Sequence, residues 1–110
     1  MKIQRTGSGC YLVLQEQGPD TRYHKRDKKI PVEQIPEWIQ QIREAYELYL
    51  EKKALHMMEE IRFTNEITIR IGGLYEGVQI YGYPKRVKSE KQLEILIQEL
   101  NLKYEEKDLH

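Results

Sequence analysis

The chain has 110 residues, 39% of them hydrophobic, with 18 acidic and 18 basic side chains and a formal net charge of zero. That length suits one compact domain, and that composition excludes an intrinsically disordered chain, which would pair low hydrophobicity with high net charge. The single cysteine, Cys10, excludes a disulfide framework or a cysteine-ligated zinc site within one chain, and no apolar run approaches the roughly 18 residues that a membrane span needs.

The opening MKIQRTGSG lacks the apolar centre of a secretory signal, so a cytoplasmic protein without membrane contact is expected. Short strands are expected over residues 2–5 and 10–16, joined by the turn-forming TGSG. In CYLVLQE both alternating sets are apolar, which suits a central strand. After the turn signal QGPD, residues 21–26 alternate without a convincing apolar set, as an exposed edge strand does.

From residue 32 the period changes. Ile35, Trp38, Ile39, Ile42, Ala45, Tyr46 and Tyr49 recur at three and four residues, the stripe of an amphipathic helix, with Pro31 and Pro36 marking its entrance. No Gly or Pro follows until Gly72, so the helix is expected to run from about residue 33 to about residue 61, roughly 42 Å at 1.5 Å per residue. A globule of this length is roughly 34 Å across, so such a helix bends or overhangs. Its second half carries apolar residues on more than one face, which predicts a homodimer with Leu48, Leu55 and Met58 in the interface.

Farther on, Ile67, Ile69 and Ile71 alternate with Glu66, Thr68 and Arg70, and Gly72-Gly73 then turns into LYEGVQIYGY. On the returning strand Leu74, Val78 and Ile80 are expected to face the core, with Tyr75, Gln79, Tyr81 and Tyr83 opposite. PKRVK leads to Ser89 with Gln92 three residues on, a capping box ahead of a stripe of Leu93, Leu96, Ile97, Leu100 and Tyr104. The expected architecture is α+β, an antiparallel sheet with two helices on one face, in the order βββαββα and with an unusually long first helix. Residues 1–110 form one domain, with a candidate pseudo-repeat of 1–61 and 66–105.

Catalytic chemistry finds little support. Cys10 and His24 lack a third orienting group, and Gly72, Gly73 and Gly77 lack the spacing of a phosphate loop. His56 with Glu59 and Glu60 has helical spacing for a metal, but such sets are mostly salt-linked surface. A non-enzyme without cofactor or metal is expected.

Charge, in contrast, is segregated. Residues 22–29 hold five basic side chains against one acidic, residues 85–91 hold four against one, and residues 33–60 hold seven Glu against three Lys or Arg. Two basic connections at one end of a sheet would form a rim for phosphates. The expected function is therefore a small nucleic-acid-binding protein, for DNA or RNA. In it Arg22, Lys25, Arg26, Lys28, Lys29, Lys85, Arg86 and Lys88 hold phosphates while Tyr75, Tyr81 and Tyr83 on an open sheet face stack bases. One alternative is a protein-interaction module, such as an inhibitor or assembly factor that binds a protein partner with the same charge and tyrosines. Another is a binder of a small phosphorylated ligand, which requires a concave pocket.

Overall fold

The computed structural model describes residues 1–15 and 27–108. Two antiparallel three-stranded sheets and two helices make up an α+β fold. The first sheet is β1 (Lys2–Thr6), β2 (Gly9–Leu14) and β3 (Lys28–Pro31), in that spatial order. A 3-10 turn, Val32–Gln34, leads into α1 (Ile35–Ala54). The second sheet follows as β4 (Glu59–Arg62), β5 (Ile67–Ile71) and β6 (Gly77–Ile80), again in chain order, and α2 (Glu90–Glu105) closes the fold. The expected order βββαββα fits once β4 is added, and each half of the chain is then a three-stranded meander followed by a helix.

Alternation on β5 explains the layering. Ile67, Ile69 and Ile71 are buried while Thr68 and Arg70 are not, so the second sheet has one apolar face, and α1 packs on β5 and β6 there. The expected stripe of α1 supplies Ile35, Trp38, Ile42, Ala45, Tyr46 and Tyr49, and α2 supplies Leu93, Leu96, Ile97 and Leu100, all buried. The first sheet joins the same cluster through Leu12 and Leu14, both 0% exposed. A small residue is required where the sheets meet. A Cβ on Gly82, whose φ is +81°, would lie 2.9 Å from Leu14 Cβ and 3.0 Å from its Cα.

Three local expectations are corrected. First, α1 stops at Ala54 instead of running to residue 61. Leu55 N–H and His56 N–H donate to the carbonyls of Lys52 and Lys53, and His56 takes a left-handed φ of 55°. That is the geometry a helix C-terminus commonly gives to glycine, and Lys52 and Lys53 complement the helix dipole. At 20 residues the helix is about 30 Å long and fits within an envelope of 48 × 33 × 20 Å, so the overhang that motivated a dimer is absent.

Second, β4 forms where helix was expected, because Ile61 pairs with Ile69 in the core and Glu60 pairs with Arg70 across the strands. Third, the link between β5 and β6 spans residues 72–76, so Leu74 lies in it at 89% exposure rather than on the core face. The edge strand expected over 21–26 lies outside the described residues, and the third strand that is described begins at Lys28.

Candidate nucleic-acid interface

Register fixes what the second sheet shows on the side away from the helices. Glu60 stands opposite Arg70 and Arg70 opposite Gly77, while Arg62 stands opposite Thr68 and Thr68 opposite Gln79. The basic segment after β6 extends these rows. Val78 and Val87 exchange both backbone hydrogen bonds at 2.9 Å in a single antiparallel bridge, so residues 86–88 lie beside β6 as a short fourth edge. Arg86 Nη2 then donates to Gln79 Oε1 at 3.5 Å, and the backbone of Gly77 lies beneath the stems of Arg86 and Lys88.

Two rows result, Arg62–Thr68–Gln79–Arg86 and Glu60–Arg70–Gly77–Lys88. They hold four cations and one carboxylate, and no large apolar side chain. Glu60 Oε2 is taken by Arg70 at 2.8 Å. Arg62, Arg86 and Lys88 have no carboxylate within 4.0 Å among the described residues, and Arg86 Nε is buried without a partner. On the other side of the sheet, the helices expose Glu37, Glu44, Glu47 and Glu51 of α1 and Glu90 and Glu94 of α2. An excess of acids thus lies on the helical layer, which also exposes Lys53 and Lys91, and an excess of cations lies on the outer face of the second sheet.

The expected site residues divide. Arg22, Lys25 and Arg26 lie outside the described residues, as does His24. Lys28 sits 3.5 Å from Glu66 and its Nζ stands 4.7 Å above the Tyr81 ring, so part of its charge is compensated internally. Lys29 is exposed on the outer face of the first sheet, in register with Val13 and Lys2. Lys85 and Lys88 are exposed and Arg86 is half-buried.

Lys28, at the described end of the first basic connection, stands over Tyr81, and Gly82 packs on Leu14; neither contact reaches residues 85–91. The tyrosines, however, do not form a row on a sheet face. Tyr75 lies in the 72–76 link with the Arg86 guanidinium 4.9 Å from its ring centre. Tyr81 and Tyr83 follow β6 and pack half-buried against the core, where burial, with the Glu99 carboxylate adding to it, pushes the Tyr83 hydroxyl above its ordinary pKa. Sequence reasoning missed Arg62, Thr68, Arg70 and Gln79. The alternation around Thr68 and Arg70 was visible, but Arg62 joins the face only through β4.

At the far end of α1, the Tyr49 hydroxyl donates to Glu76 Oε1 at 2.7 Å, and Lys53 Nζ lies 3.2 Å from the same oxygen. The Tyr49 hydrogen bond, then that of Lys53, holds the Glu76 carboxyl below the usual carboxylate range, while burial first and Glu76 second raise the Tyr49 hydroxyl. Nearby Leu55 is 60% exposed and Met58, over Gly72, is 80% exposed, whereas Leu48 packs partly buried against its own core.

A cleft of about 220 Å³ at this end is lined by Lys53, His56, Met58 and Glu76, and one of similar volume beside Trp38 by Glu37 and Glu66. A cleft between the helices carries Glu47, Glu90 and Glu94 beside Arg43, a poor lining for a phosphorylated small molecule. Glu59 and Glu60 belong to a strand rather than to the helix before His56, and no group of three metal-ligating side chains occurs among the described residues. No described helix is long and apolar enough to cross a membrane. No family model, curated protein or solved structure matches the chain.

Proposed function

We propose that the protein binds nucleic acid through the outer face of the second sheet and the PKRVK edge beside it. The observation that supports this most is the pair of cross-strand rows in which Arg62, Arg70, Arg86 and Lys88 stand with one carboxylate, on the opposite side of the sheet from the acidic helices. Arginine forks bind phosphate oxygens in pairs, and their strand positions hold them at fixed spacing. The neutral total charge is compatible with this reading because the compensating acids lie on the helical layer.

Fluorescence anisotropy with labelled mixed-sequence DNA and RNA should give an affinity that falls steeply as salt is raised, since bound cations release condensed counterions. Absence of binding to any of these at about 50 mM salt overturns the reading.

A second reading, a protein-interaction module, is supported by a different surface. Leu55, Met57 and Met58 are exposed just after α1, Met58 lies over Gly72, and Leu74 is exposed in the 72–76 link that Gly72 opens. Under that reading a partner co-purifies with the protein, and exchanging Leu55 and Met58 for Glu releases it without unfolding the chain.

A further inference from the structure

We infer that the target is double-stranded DNA, entered through its major groove by the β5–β6 pair. This rests on the nucleic-acid reading above and narrows it by the width and chemistry of the face. The row Arg62–Thr68–Gln79–Arg86 crosses β4, β5, β6 and the bridged edge, so its two arginines leave the backbone about 14 Å apart, three strand spacings of about 4.8 Å. The major groove of B-DNA is about 12 Å wide and admits two strands. With β5 and β6 in the groove, Arg62 reaches one phosphate wall, and Arg86 reaches the other once its guanidinium leaves Gln79 Oε1 and the Tyr75 ring, which frees the Gln79 amide for the floor. Thr68 and Gln79, between them, meet base edges, where a Gln amide pairs with adenine N6 and N7 and a Thr serves either as a hydrogen-bonding group or as a contact for the thymine methyl.

Single strands fit this face poorly. Reading them takes free aromatic rings on which bases stack, and neither row contains an aromatic residue. Tyr75 lies off the strands, in the 72–76 link. Tyr81 and Tyr83 are packed against the core. Duplex RNA is also a poor fit, because its major groove is too deep and narrow for side chains to read. The face leaves arginines for the walls and short polar groups for the floor, which matches B-form DNA.

The test compares three probes of one mixed sequence, a DNA duplex of about two helical turns, its single strand and the corresponding RNA duplex, at equal salt. The DNA duplex is expected to bind about tenfold or more tightly than either of the others, with guanine N7 in the bound segment protected from methylation. R62A and R86A should each lower the slope of log affinity against log salt by about 1. The T68A/Q79A double variant should leave that slope unchanged and alter the bases enriched from a randomised duplex pool.

All four positions lie on the outer face, so unchanged circular dichroism is the check that the fold persists. Equal or tighter binding of single strands or RNA overturns the DNA inference while leaving the nucleic-acid reading intact. Tight duplex binding with no N7 protection and no effect of T68A/Q79A overturns the major-groove inference alone. No binding to any probe overturns both.

Discussion

The two meanders share strand count, order and connection to a following helix, yet they treat their outer faces differently. On β5 of the second sheet the alternation is strict, and Thr68, Arg70 and, on β6, Gln79 face away from a core built on Ile67, Ile69, Ile71, Val78 and Ile80. On the first sheet Leu12 and Leu14 face the core, but Val13, between them and pointing the other way, is only 2% exposed, with Lys2 and Lys29 across from it. A strand with apolar residues on both sides buries both, whereas a strictly alternating one leaves a free face whose chemistry is available for binding. That difference places the candidate interface on the second sheet, although the longer basic run of the sequence belongs to the first.

The largest effect expected from probing this comparison lies in the core that both sheets share. Leu12→Ala and Ile69→Ala should each lose about 2–5 kcal/mol in urea unfolding followed by circular dichroism, since both side chains are fully buried and leave cavities. Because one cluster joins the sheets, each variant should shift a single transition; two separated transitions would make the meanders independent units.

The next largest effect separates the outer faces. R62E/R86E should weaken DNA binding by about a hundredfold or more, each lost charged hydrogen bond being worth about 1.5–3 kcal/mol, while K2E/K29E should change it little. An equal loss from K2E/K29E would move the interface to the first sheet.

Where the sheets touch, Gly82→Ala should cost about 1–3 kcal/mol, because the new Cβ meets the backbone of Leu14 at a positive φ, and thermal unfolding measures it. A neutral result would mean that the sheets can part slightly without loss.

The smallest effect concerns the link between β5 and β6, tied to α1 through Glu76. A carboxyl whose folded-state pKa lies below its unfolded value of about 4.5 stabilises the fold above that value and loses this contribution as pH falls through the folded one. Wild type should therefore unfold at a higher temperature than E76Q near neutral pH, and the gap should close as pH falls below the ordinary value of about 4.5 and through the lowered one. A gap that persists at low pH would show that Glu76 acts through packing instead of charge.

Much of the architecture was legible because it rests on periodicity. The stripe from Ile35 to Tyr49, the alternation of Ile67, Ile69 and Ile71, and the cap at Ser89 all stand where the pattern put them. Ser89 Oγ accepts from Gln92 N–H, while the Gln92 side chain reaches back to Lys88 N–H, one residue earlier than the usual capping box. The end of α1 was not legible. His56 terminates it in a conformation that favours glycine, and Glu59 and Glu60 have no strong strand preference of their own.

The candidate site was legible in part for a related reason. Lys85, Arg86 and Lys88 could be picked out as a run of charge, and the tyrosines by their number, but a residue's neighbours across a sheet are set by pairing that no local pattern records. Arg62 falls just past the helix expected to end at about residue 61, and Tyr81 and Tyr83 are expected on a strand although β6 ends at Ile80.

By itself, then, the sequence determined which residues are buried along each helix and along β5, since burial of an apolar face follows from spacing along the chain. It also determined that charge is unevenly distributed in an overall neutral chain. Only the tertiary structure decided that the strands divide into two sheets, that β4 exists, and that Arg62 and Arg86 flank Thr68 and Gln79 in one row. Those outcomes depend on contacts between residues far apart in the chain, whose stability comes from pairing and shared burial rather than from local preference.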